Sequence, residues 1–427
     1  MAGLTGRVIS RQRRKFCTML WFHQPMNQQT HIPTKAASLH LTVIDDLARL
    51  AAFKPAWDAL HMRDPEVGIF MSYDWLISGF RAKPGRWRVF VVADVQGKPL
   101  CIFPAKTRVH WSQSAQEFQT EIEAAGRLSW GEHTGFICDP GQEAPALAAL
   151  AHALRALPWK TLAIRYEVTG RRARLFAEAM GEGFSHRFRD YRINRGQTNN
   201  LIGLKTPLPR SFDSLLAEGL SANTRQKIRR YRRKFIDSGI YTIRSATPET
   251  SERDIAGMLQ NWALTWAGNK GLDDTLLIAE RYARALLNAE ALGALYLPTL
   301  WQGERMLGGL AHVIDREAGV AHFLLSGRDP EAGEPAIGIL LHAQAIEWAI
   351  GLGLQTYDFG HGDQPYKYSF GAQEVESFNL EIRRHGQERI FDPRGLKLAL
   401  ERLHAFASAG QLERVQNGSA QLLKVLG

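Results

Sequence analysis

An α+β fold made of two copies of one unit is what the sequence predicts, on two observations. The stretches Val92-Ala-Asp-Val-Gln-Gly-Lys-Pro-Leu100 and Pro298-Thr-Leu-Trp-Gln-Gly-Glu-Arg-Met306 each read as strand–turn–strand with Gln-Gly at the turn. Each is preceded by two helical patterns and followed by a helix and a strand, so the order of elements repeats.

In the first copy, apolar spacing predicts helices over 43–60 and 69–80, the latter with Phe70, Tyr73 and Trp75. The period then drops to that of strands over 87–94 and 100–105. A helix over 144–157, a buried strand over 161–166, a helix over 171–180 and an extended segment over 191–204 follow. Pro207 and Pro209 punctuate the chain and mark a boundary between halves. The second copy opens with a basic helix from Ser221, then helices over 250–266 and 275–289. Strands over 295–300, 306–314 and 320–326 come next, then a helix over 337–350 and strands over 356–359 and 376–383. A helix over 396–407 closes the pattern, with the last residues read as a less ordered extension. The expected organisation is a disordered basic lead (1–38), an N-terminal domain (39–206), a C-terminal domain (207–392) and a helical extension (393–427).

The totals agree with a folded protein of more than one core. At 427 residues the chain is too long for a single one. Apolar residues make up 45% and charged residues 22%, an ordinary balance for a globular protein. Cys17, Cys101 and Cys138 are odd in number and widely spaced, with no CxxC pair and no Cys/His zinc spacing. Neither a disulfide framework nor a metal site is expected, and a reducing, cytoplasmic setting fits. No apolar run reaches the ~18–20 residues of a membrane span. The net charge of +10 is local: residues 1–40 carry six Lys or Arg and no acid, and 221–239 carry seven against Asp237 alone. That argues against a body coating nucleic acid over its whole surface.

Chemistry concentrates near the end of the second copy. A strand, a Gly/Pro-rich loop and the start of the 337–350 helix bring Gly333, Ile337 and Gly338 to a helix N-terminus, where free N–H groups can face a phosphate. A short strand then ends at Asp358. His361, Asp363, Tyr366, Lys367 and Tyr368 follow within ten residues, among Gly360, Gly362 and Gly371. A surface loop explains the glycines, but less well a titratable group of each kind in so short a space. On the basic helix, Ile228, Tyr231 and Phe235 face a core at helical spacing. Arg225, Arg229 and Arg232/Arg233 line a flank, which is either a solvated face or a phosphate-binding one.

The run from Leu341-His-Ala-Gln-Ala-Ile-Glu-Trp-Ala to Thr356-Tyr-Asp-Phe-Gly-His-Gly-Asp-Gln-Pro-Tyr-Lys-Tyr-Ser-Phe370 resembles the C-terminal signature of FemAB-like GNAT acyltransferases. It is most similar to the CelD type associated with cellulose or other exopolysaccharide synthesis. Asp358, Gly360, Gly362, Tyr366, Lys367 and Phe370 carry the likeness, together with the arginine-rich helix from Ser221. Where the family commonly has Ser-Pro-Gly before the long helix, this chain has Glu334-Pro-Ala-Ile-Gly338.

The resemblance implies tandem GNAT-like domains, acetyl-CoA or another acyl-CoA as donor, and an amine acceptor, a small molecule or glycan precursor. His361 or Asp363 would then serve as base. Lys367 would bind an anion or stabilise the oxyanion, and Tyr366 or Tyr368 would protonate the departing thiolate. Arg225, Arg229, Asp358, Tyr368 and Trp266 would contact substrate, and Gly333, Ile337 and Gly338 the donor. Two alternatives stand beside it: an aminoacyl-tRNA-dependent ligase, which makes charged tRNA the one nucleic-acid partner considered, and a GNAT-like module that only binds.

Overall fold

The computed structural model describes residues 30–32, 39–167, 169–193, 196–333, 336–386 and 391–426. Apart from strand Thr30–Ile32, the basic lead expected over 1–38 lies outside the described residues, as do Cys17, Glu334 and Pro335.

Two mixed sheets carry the fold. In space, the first sheet runs Thr30–Ile32, Leu39–Ile44, Trp87–Ala93, Pro99–Ser112, Glu117–Ala124, Thr161–Glu167, Phe378–Arg384 and Phe184–Phe188. Among the described residues its one parallel pair joins Glu117–Ala124 to Thr161–Glu167. The strand Trp87–Ala93 shows why the sequence folds this way. Phe90 and Val92 pack under helix Glu143–Arg155, while Val89 and Val91 meet Trp57 and Trp75 on the opposite face. A strand covered on both faces is a continuous apolar run. Its hairpin turn is held by Asp94, whose carboxylate accepts from the Gln96 and Lys98 N–H groups, with Gly97 at φ +82°.

The second sheet runs Thr242–Ser245, Pro298–Gln302, Arg305–Asp315, Val320–Arg328, Thr356–His361, Ile202–Pro207 and Gln373–Glu376. Again one pair is parallel, Val320–Arg328 with Thr356–His361, joined through helix Ala336–Gly351. That helix is apolar almost all round because the sheet covers one side and helix Ala222–Tyr231 another. Helix Ser251–Lys270 lies against the sheet through Met258, Leu259 and Trp262. The two halves share one apolar cluster in which Trp57, Phe70 and Trp75 meet Ala289, Ala294 and Val313.

Sheet membership crosses the boundary expected near Pro207. Strand Ile202–Pro207 belongs to the second sheet, beside Thr356–His361, and Phe378–Arg384 returns to the first, between Thr161–Glu167 and Phe184–Phe188. The halves thus exchange strands. A chain of residues 39–201 is expected not to unfold cooperatively on its own, because Leu380 and Ile382 of its core come from beyond residue 377. Hydrogen exchange checks this: co-expression with 378–426 should restore protection, and a protected, cooperative fragment alone would contradict the prediction.

Three local expectations need correction. The helix expected from 43 begins at Leu47, capped by Asp46, because Thr42–Ile44 are paired with strand Trp87–Ala93. Strands Glu117–Ala124 and Phe184–Phe188 were not expected. In the first of these, Glu121 and Glu123 are buried but paired with Arg108 and Lys106, which breaks the apolar alternation. The final residues form helix Leu412–Leu426. It packs with helix Pro393–Ser408 against Trp111 and Phe118, with Phe406 stacked on Phe118. Among the described residues no helix is long and apolar enough to cross a membrane.

Candidate active site between the halves

In the second sheet the parallel ladder has three rungs and ends at His322↔Asp358. Both strands continue beyond it without pairing to each other, so they diverge. Two irregularities accompany the divergence. Leu324 has no register partner where Ala311↔Leu325 gives way to His312↔Phe323, a bulge. On the other strand Gly360 sits at φ +68° in a second bulge, between the rungs Lys205↔Asp358 and Gly203↔His361. The Asp358 carboxylate itself takes the Gly360 N–H, at 2.8 Å.

Asp358 is the centre of a buried polar cluster. Its Oδ2 lies 3.2 Å from His322 Nδ1, 3.5 Å from His133 Nε2 and 3.6 Å from Lys205 Nζ. Burial alone would raise the carboxyl pKa; hydrogen bonds from His133 and His322 and the Lys205 charge outweigh it and hold the pKa well below the usual range. An ionised carboxylate only accepts, so His322 Nδ1 is the donor, and in the neutral ring Nε2 is left as the acceptor. His133 comes from the loop after Glu117–Ala124 in the first half, where burial keeps its pKa below the ordinary value. Phe70 packs against both rings.

His322, His133 and Lys205 open on a cavity of about 230 Å³ between the halves, lined also by Glu66, Glu167 and Asp315. One ligand atom each from His133, His322 and Asp358 lies within 4.8 Å of the others, a spacing a transition metal could use. The cluster's single negative charge is already matched by Lys205, so the residues fit a proton relay at least as well.

The residues singled out in the sequence divide into several groups. Lys367 is buried, and its Nζ donates to the carbonyls of His361 and Gly362, at 2.8 and 3.1 Å, closing its own loop. Burial lowers its pKa to about 8. His361 packs at a tilt against Tyr166 and donates Nε2–H to the Glu132 carbonyl, with burial lowering its pKa to about 4. Asp363 accepts from the Asn199 N–H. Tyr366 lies over His342 and Phe359, and Tyr368 donates to Glu374, which pushes its pKa up to about 12. Trp266 joins the apolar cluster of its own helix. Arg225 donates to the Leu216 and Ala217 carbonyls and Arg232 pairs with Glu347, whereas Arg229 is exposed. Neither Arg225 nor Arg229 lines the cavity. At the helix start, Gly333 has φ +59°, Ile337 is core, and nothing lies within 4 Å of where a Gly338 Cβ would stand.

His133, His322, Lys205 and Glu167 escaped the sequence reading. Each stands alone in its stretch, and only strand register and the packing of the halves bring them together.

Burial of neutral histidines has a consequence for acid stability. The pKa of His312, like that of His361, is lowered to about 4 by burial, from an ordinary value of 6.5. Between these values the unfolded chain binds the protons, so the stabilisation is complete above pH 6.5 and lost as the pH falls towards 4. Urea midpoints should decline over this window; a flat profile would contradict the assignment.

Comparison with known proteins agrees with this geometry. Residues 222–368 match the family described as Acetyltransferase (GNAT) domain, which spans the diverging strands and the helix between them. No curated protein sequence matches. Among solved structures, FemX superposes with a TM-score of 0.54 at 13% identity, covering 80% of this chain and 96% of that one. A conserved protein of unknown function from Bacteroides thetaiotaomicron VPI-5482 gives 0.49 at 13% identity, over 81% and 99%. A tandem GNAT protein from the clavulanic acid biosynthesis pathway gives 0.46 at 12%, over 82% and 99%. The chain shares its overall fold with FemX, and its second half contains a GNAT domain over residues 222–368.

Proposed function

We propose that the chain is an N-acyltransferase that moves an acyl group from an acyl-CoA thioester to a small amine held between the halves. One observation carries this: a His–Asp pair stands at the last rung of the parallel ladder, where the strands of the GNAT domain part.

An attacking amine must be neutral. His322 Nε2 would take the proton from nitrogen, and Asp358 would steady the imidazolium. The C–N bond forms, the C–S bond breaks, and the proton taken from nitrogen returns to the thiolate. The bulge at Leu324 would turn a backbone N–H toward the developing oxyanion. The donor's phosphates would lie at the first turn of Ala336–Gly351, in the open space beside Gly338 and near Gly333, with Ile337 anchoring that turn. His361, Asp363 and Lys367 would keep the strand-end loop in place, Lys367 by holding its carbonyls. An acceptor from a polysaccharide or cell-envelope pathway accords with the CelD-type sequence resemblance, which is its only support.

A second reading, transfer from aminoacyl-tRNA, is favoured by the exposed Arg229, Arg230 and Arg233 on the basic helix. Thermal-shift measurements with acetyl-CoA, longer acyl-CoAs and charged tRNA separate the two. A ligand at a hundred times Kd adds about 2.7 kcal/mol. Stabilisation by charged tRNA and by no CoA species would overturn the first reading, and stabilisation by neither would leave a binding module.

A further inference from the structure

Glu167 lines the same cavity as His322 but has no part in the proton relay. It ends strand Thr161–Glu167, directly after Tyr166, whose φ of +58° is a left-handed conformation that a bulky residue adopts only under constraint. Two neighbours fix it. Thr169 Oγ1 donates to Oε1, and a Cβ on Gly135 (φ +135°) would stand 2.9 Å from Glu167 Cγ. The residue is 2% exposed, yet its Oε2 has no hydrogen-bond partner. An unpaired buried oxygen is costly, and one held in place at a cavity wall is a site awaiting a donor.

The neighbouring cations are committed elsewhere. Arg172 binds Asp64 and Glu143, and Arg171 binds Glu66 and Glu143. Burial pushes the Glu167 pKa up to about 8, with Glu66 adding to the shift and Thr169 and Arg172 opposing it, so a cation at Oε2 would favour the ionised form.

One short loop links the anchor to the reacting end. His133, beside His322 and Asp358, and Gly135, against Glu167, are two residues apart, at most about 7.6 Å between Cα atoms.

We propose that Glu167 anchors the acceptor by holding a second, cationic nitrogen, so that the acceptor is a short compound with two amino groups, one acylated beside His322 and one held at Oε2. This rests on the acyltransferase reading for the fate of the first nitrogen, but not for the binding of the second. Calorimetry on the whole chain without donor would compare propane-1,3-diamine, butane-1,4-diamine and pentane-1,5-diamine with the matching monoamines. The wild type is expected to bind at least one diamine about tenfold tighter than its monoamine, and E167Q to abolish the difference. Equal binding in the wild type overturns the proposal whether or not E167Q folds, as does a preference that survives in folded E167Q. If the preference holds and depends on Glu167 while no acyl-CoA supports transfer, the anchor stands and the acyltransferase reading falls.

Discussion

His322→Gln should lower kcat for acyl transfer by about 10²–10⁴-fold, the range expected when a positioned general base is lost. Glutamine is close in size and can still donate an amide N–H to Asp358, so the buried carboxylate keeps a partner. What disappears is the ring nitrogen that accepts a proton. Asp358→Asn should also slow the reaction, since the amide no longer accepts exclusively and the imidazole loses the partner that sets its tautomer. Its effect on stability should be larger than that of His322→Gln, because Asp358 also accepts from the Gly360 N–H and faces His133 and Lys205. Single-turnover release of the CoA thiol, followed across pH, tests both. A His322→Gln enzyme within threefold of wild type would remove His322 from the chemistry.

Much of the fold was legible because it is written in local patterns. The hairpin at Asp94–Lys98 has its turn chemistry, and helix Ala222–Tyr231 has its Ser221 cap, which accepts from the Thr224 N–H. What stayed hidden was whatever depends on distant partners. Glu121 and Glu123 look like surface residues until Lys106, Arg108 and Arg165 are placed opposite them. Nothing in residues 376–383 announces that their strand belongs to the other sheet. The candidate site divides in the same way. Asp358 and the glycine-rich loop after it stand out in sequence, since a strand end dense in polar groups is unusual. His322 is 36 residues away and His133 is in the other half, so the relay exists only after the ladder sets His322 opposite Asp358.

Arg172→Met is expected to destabilise the protein by about 3–5 kcal/mol, the cost of leaving buried charges without their partner. The guanidinium is 1% exposed and binds both Asp64 oxygens at 2.8 Å, Glu143 at 2.7 Å and the Phe136 carbonyl at 3.3 Å. Asp64 closes helix Leu47–Arg63 and Glu143 opens helix Glu143–Arg155, so one side chain ties three helices together. Arg172→Lys should recover little, since an ammonium cannot reproduce the two parallel bonds to Asp64. Adding Asp64→Leu to Arg172→Met should restore part of the loss by removing the stranded carboxylate, whereas independent effects would add. Urea unfolding of the single and double variants measures this, and a loss below 1 kcal/mol for Arg172→Met would show that the network contributes little. The effect should also reach the cavity. The Phe136 carbonyl and Glu66 are both held by Arg172, and the loop ending at Phe136 carries His133 and Gly135 against Asp358 and Glu167. Even well below its melting temperature, Arg172→Met should therefore raise KM for the acceptor more than it lowers kcat, because it loosens the wall that holds the acceptor and leaves the His322–Asp358 rung intact.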